Sequence, residues 1–138
     1  MKTFALIFIF IVSYPSLIFS QTTDEIVKQA DLFEKQLNEE AAYQKFKEAI
    51  KLEPHHLYAL IRCSELASRL GRRQPTKTKQ LDFYTAAKIY ADRAVKINPK
   101  DSDANLVMAL SYARMSLLKS GKEKVEFVRE IKIFADKS

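Results

Sequence analysis

The chain has 138 residues, enough for one domain and a targeting segment. Two glycines and four prolines supply too few turns for a typical sheet protein, and Lys, Glu, Ala, Leu and Ile fill the middle of the chain as in helical proteins. The formal charge of +6, from 23 basic and 17 acidic residues, is spread along the chain without a basic stripe on one element, which argues against nucleic acid and leaves a solvated, mildly basic surface suited at most to an acidic partner.

The first twenty residues predict a secretory signal peptide. Lys2 gives a positive start, Phe4–Val12 is an unbroken apolar run, Tyr14-Pro15 breaks it, and Ser20-Gln21 offers a small residue at a plausible cut. The stretch Phe4–Phe19 is interrupted by Ser13, Pro15 and Ser16. It falls short of the roughly 20 apolar residues that a stable membrane helix needs. The organisation expected is a signal peptide at 1–20 and a helical-repeat domain at 21–138. Such a chain is exported to the periplasm or the outside, or is held at the membrane if the segment stays uncleaved.

Six helices in three pairs are predicted after residue 21. The first opens at Thr22 with Glu25 three residues on, a capping-box pattern, and places Ile26, Ala30, Phe33 and Leu37 on one face. Asn38 stops it or caps the next. The second runs from about Glu40 to Leu52, with Ala42, Phe46, Ala49 and Ile50 inward, and Pro54 ends it. The third runs from about Leu57 to Leu70, with Leu60, Ser64 and Ala67 on one side and Gly71 as its stop. Residues 72–80, RRQPTKTKQ, read as a basic loop. The fourth helix starts near Leu81, carries Tyr84, Ala87, Ala91, Ala94 and Val95 on one face, and ends before Pro99. Asp101 or Ser102 caps the fifth, which runs to about Lys119 with Leu106, Ala109, Ala113 and Leu117 inward. After a turn at 120–124 the sixth begins near Val125, with Phe127, Ile131, Phe134 and Ala135 on its face.

The sequence repeats itself. AIKLEP (Ala49–Pro54) matches AVKINP (Ala94–Pro99), and YADRA (Tyr90–Ala94) is echoed by FADKS (Phe134–Ser138). In each copy a small Ala lets helices approach, apolar residues pack on the next helix, and Pro forbids continuation. The third copy breaks off at the last residue, so the expectation is either a last helix that lacks its final turn or, preferred, a fragment of a longer repeat protein.

Helix pairs ending in Ala-apolar-x-apolar-polar-Pro resemble tetratricopeptide repeats, with AAYQKFKEAIKLEP similar to that family's second helix. The usual Trp is absent, the corner Gly is replaced by Asn38, and the spacing of the two copies exceeds the family unit of roughly 34 residues. The lengthened pairs resemble the regulator-of-microtubule-dynamics type of tetratricopeptide-like protein. Residues 62–99 look like its central unit, and EKVEFVREIKIFADKS looks like the next. The resemblance implies an all-α superhelix of about three antiparallel helix pairs, in an exported bacterial version. Microtubule binding does not transfer, because no residue here marks it.

Nothing in the chain assembles an enzyme. His55 and His56 are adjacent and point to different sides of a helix, no HExxH, CxxC or Gly-rich phosphate loop occurs, and Glu39-Glu40 suit a helix first turn. Cys63 is the only cysteine and lies among Ala59, Leu60, Ile61, Leu66 and Ala67, so a buried inert thiol is expected. No catalytic, cofactor-binding or metal-binding residue is assigned, and no cofactor is expected. The function expected is a non-enzymatic scaffold that holds a peptide or protein partner in the groove lined by the first helix of each pair. By resemblance and helix phase that groove carries Tyr58, Arg62, Glu65, Arg69, Asn105 and Arg114. The alternative is an envelope structural component whose basic loop, Arg72, Arg73, Lys77 and Lys79, sits at an anionic membrane surface.

Overall fold

A computed structural model describes residues 22–138, so the predicted signal peptide lies outside the described residues. Six helices follow in order: α1 (Thr23–Lys35), α2 (Glu39–Leu52), α3 (Leu57–Arg72), α4 (Lys77–Ile97), α5 (Ser102–Ser116) and α6 (Gly121–Ala135). No strand occurs among the described residues. Each helix packs on its neighbours in sequence, α3 also touches α5, and no comparable packing joins the first helix to the last. This is the connectivity of a stacked helical-repeat array rather than of a closed bundle.

Local chemistry sets the helix ends. Thr22 Oγ1 accepts from the Glu25 N–H at 3.3 Å and Glu25 Oε2 accepts from the Thr22 N–H at 3.2 Å, so the predicted capping box forms. Asn38 caps α2, its Oδ1 accepting from the Ala41 N–H at 3.2 Å. The two copies of the repeat build one corner twice. The Glu53 N–H closes on Ala49 O at 2.8 Å and the Asn98 N–H on Ala94 O at 3.1 Å. Beyond each proline a side chain caps the next helix: His56 Nδ1 accepts from the Ala59 N–H at 3.2 Å, and Asp101 Oδ1 from the Ala104 N–H at 2.8 Å. His56 is therefore a helix cap, while His55 is exposed.

Small residues bring the helices together. Ala30, Ala42, Ala49, Ala59, Ala67, Ala87, Ala91, Ala94 and Ala104 are fully buried, with Phe46, Leu60, Leu66 and Val107 filling the space between. Tyr43 meets the edge of Tyr90 at 6.3 Å, and Phe46 meets Tyr58 at 5.9 Å. Cys63 is buried in this core, and burial pushes its thiol up to about 12, so it carries no thiolate at neutral pH. Ser64 Oγ of α3 donates to Ala87 O of α4 at 2.9 Å and lies 3.5 Å from Ser111 Oγ of α5.

Several expectations are corrected. Leu37 does not face the core: it is 87% exposed, at φ 60. Its N–H reaches Glu34 O and the Asn38 N–H reaches Phe33 O, both at 2.9 Å, which is a Schellman corner with a leucine in the left-handed position usually held by Gly. The left-handed residue of this corner is thus Leu37, not Asn38. Gly71 does not stop α3. It is buried inside the helix, where an added Cβ would meet Phe83 Cβ and Tyr84 Cε1 at 2.8 Å. Its missing side chain admits α4. The basic stretch is mostly helix: Arg72 closes α3, Thr76 caps α4 by accepting from the Lys79 N–H at 3.3 Å, and Lys77 and Lys79 lie in the first turn. A polar run looked like a loop because α4 extends past the core, where helix needs no apolar face. The same reason starts α6 at Gly121 rather than Val125. Lys119 pairs there with Glu123 at 3.2 Å.

Candidate partner-binding face

The first helices of the pairs, α1, α3 and α5, turn one side away from the second helices. On α3 that side carries Tyr58, Arg62, Glu65 and Arg69, spaced 4-3-4 as one helix face requires, all partly or largely exposed. These four lie together as the helix phase predicts.

They are not free side chains. Tyr58 donates its hydroxyl to Asp31 Oδ1 at 2.8 Å. Arg62 donates Nε to Glu34 Oε2 at 2.9 Å, places Nη2 against both Glu34 oxygens, and turns Nη1 to Glu65. Arg69 divides itself between Glu34 Oε1 at 2.7 Å and Glu39 Oε1 at 3.0 Å, and Arg73 reaches the other oxygen of Glu39 at 2.6 Å. A chain of alternating charge thus runs from α1 through the α1–α2 corner to the end of α3. Burial alone would raise the Glu34 carboxyl, but the two guanidiniums outweigh it and hold the group below the ordinary carboxylate range. Arg62 is likewise opposed by burial and kept charged more firmly by Glu34 and Glu65. Partial burial, aided by the bond to Asp31, pushes the Tyr58 hydroxyl up to about 12. An open recess of about 390 Å³ lies against this network, lined by Asp31, Glu34, Lys35, Tyr58 and Arg62.

The assignment of Asn105 to the outward face is corrected. Asn105 is fully buried and donates Nδ2 to Pro99 O at 3.0 Å and Asp101 O at 2.7 Å, bracing the corner that leads into its own helix. Arg114 is half-buried and joins no ion pair among the described residues. Leu106 and Leu117, expected inward, are 50% and 67% exposed, with Leu110 and Ala113 partly exposed between them. The outward stripe of α5 is therefore Leu106, Leu110, Ala113 and Leu117, which repeats the 4-3-4 spacing of the α3 stripe. The inward side takes Ala104, Val107, Met108 and Ala109 together with Asn105, Ser111 and Ser116, whose side chains are hydrogen-bonded there.

The basic residues are all exposed: Arg72 and Arg73 at the end of α3, Lys77 and Lys79 at the start of α4. Arg73 is engaged by Glu39. The two lysines stand where the helix dipole is positive and no acid accompanies them in that turn. Glu39 and Glu40 do occupy the first turn of α2, as expected, and Glu39 additionally gathers two arginines from α3. Asp31, Glu34 and Glu39 were missed as members of the face. They meet residues 27 to 35 positions away, and nothing local in the sequence marks them. Among the described residues no group of three or more His, Cys, Asp or Glu is placed to hold a metal ion, and no helix is long and apolar enough to cross a membrane.

A comparison with curated proteins found no match. The family model described as "Regulator of microtubule dynamics protein 1-3" matches residues 26–138, which takes in nearly all of the six helices. The lengthened helix pairs, the twice-built corner and this match agree: the chain belongs to the regulator of microtubule dynamics protein 1-3 family.

Proposed function

We propose that the protein is a non-enzymatic interaction module, exported by the segment at residues 1–20, that holds a peptide or protein partner on the face formed by α3 and α5. The observation that carries this reading is the outward stripe of α3: an aromatic, two arginines and a glutamate, already aligned by Asp31, Glu34 and Glu39. Arg and Tyr held in place lose little rotamer entropy on binding, and both residue types dominate binding energy at interfaces. A regulator acts through partners, and the family description fits a module of this kind. The test is affinity capture from the native envelope fraction with the full chain and with Arg69→Ala. A partner retained by the wild type and lost by the variant supports the reading. Equal recovery by both, or chance proteins alone, removes it.

A second reading draws on the lysines at the start of α4. Lys77 and Lys79 work against the helix dipole, so their placement gives the fold nothing. Together with Arg72 and Arg73 they suit an anionic membrane surface, with the N-terminal segment left uncleaved as an anchor. N-terminal sequencing of the mature protein separates the two: an intact Met1–Ser20 favours the anchor.

A further inference from the structure

α5 is apolar on two sides. Its buried side holds Ala104, Val107, Met108 and Ala109, with Asn105 and Ser111 among them, while Leu106 and Leu117 stand 50% and 67% exposed on the other. One exposed leucine on a surface is ordinary; a stripe of Leu106, Leu110, Ala113 and Leu117 on a helix that already spends an apolar side on the core is not. At about 1.5 Å per residue the stripe is roughly 16 Å long, three turns of helix. Charge is graded along it, with Asp103 exposed at the start of α5, the half-buried Arg114 in its last turn and the half-buried Lys119 just beyond, shared with Glu123.

We infer that α5 is the docking strip for an amphipathic helix of the partner, laid antiparallel to α5, with leucine-like residues at 4-3-4 spacing, an acidic first turn and a basic last turn. The partner's apolar stripe covers Leu106, Leu110 and Leu117. Its N-terminal carboxylates meet Arg114 and Lys119, and its C-terminal cations meet Asp103. Antiparallel placement follows because helices carry acids early and bases late, so only that direction sets opposite charges together along α5. The stripe of α3, the helix that packs against α5, then forms the polar wall beside the bound helix. The inference rests on the interaction-module reading and names the chemistry of its partner.

The experiment pans a display library of helical 15-residue peptides on the full chain, with counter-selection on the Leu106→Ser/Leu117→Ser double variant. Both leucines are exposed, so the variant should unfold within a few degrees of the wild type; if it does not, Leu117→Ser alone replaces it. Expected is an enriched consensus with apolar residues at 4-3-4 spacing and acids at its N-terminal end, whose fluorescence-anisotropy Kd weakens about tenfold or more on the leucine variant. A peptide with its end charges exchanged should bind several-fold more weakly. No enrichment over the variant, or peptides that bind both proteins equally, overturns the inference. So does a wild type that dimerises while the leucine variant is monomeric, since a second copy is then the occupant. If a native partner is lost on Arg69→Ala yet kept by the leucine variant, the docking helix is wrong while the interaction module stands.

Discussion

Glu34→Gln isolates the charge network without changing the volume of the side chain. Glu34 is 13% exposed and serves Arg62 and Arg69, whose side chains are 24% and 40% exposed. Hydrogen bonds to charged groups contribute about 1.5–3 kcal/mol when shielded, and exposed ion pairs about 0.2–1 kcal/mol. The Arg62 contact belongs nearer the first range and the Arg69 contact in the second, while the new amide keeps one acceptor oxygen. The net loss is therefore about 1–2 kcal/mol, a fall in Tm of roughly 4–8 °C for a domain of this size. The pH dependence has a definite sign. The folded carboxyl titrates below its ordinary value, so the stabilisation is fully present above that ordinary value and is lost as pH falls through the depressed one. Urea melts of wild type and Glu34→Gln at neutral pH and down the acid limb should show a gap that closes on acidification. A gap under about 0.3 kcal/mol at neutral pH, or one that does not change with pH, would refute the reasoning.

Other substitutions follow from the same geometry. Gly71→Ala gains about 1 kcal/mol of helix propensity but forces its Cβ to 2.8 Å from Phe83 Cβ and Tyr84 Cε1, so a net destabilisation of about 0.5–2 kcal/mol is expected in denaturant melts. Leu37→Gly relieves a left-handed leucine that is 87% exposed, and stability should rise by about 0.5–1 kcal/mol; a loss would mean that the leucine supports the corner. His56→Asp copies the cap that Asp101 provides at the matching corner and should stabilise by about 0.5–1 kcal/mol, read as a higher urea midpoint with unchanged slope.

What the sequence made legible is what local chemistry decides. Thr22 with Glu25, Asn38, the prolines after Glu53 and Asn98, and the repeated Ala-apolar-x-apolar run each fix a nearby backbone event, and they mark the start of α1, the corner into α2 and the ends of α2 and α4. The α3 stripe was legible because its inward side is plainly apolar, leaving Tyr58, Arg62, Glu65 and Arg69 no other direction. On α5 the same rule misled. Leu106 and Leu117 fall outward, and the buried side is made instead by Ala104, Val107, Met108 and Ala109 with Asn105 and Ser111 among them. A glycine near a helix end usually punctuates the helix; the role of Gly71 depends instead on Phe83 and Tyr84 from another helix. The acids that organise the face come from α1 and the α1–α2 corner, and only tertiary packing brings them there.

The central claim is that the outward sides of α3 and α5 receive the partner. Chemical-shift mapping by NMR on the full chain, titrated with the peptide selected above or with the captured native partner, tests it most directly. The account predicts that the largest shifts fall on Tyr58, Arg69, Leu106, Leu110 and Leu117, with α4 and the outer side of α6 unmoved. Shifts concentrated on Arg72, Lys77 and Lys79, or on α6, would contradict it.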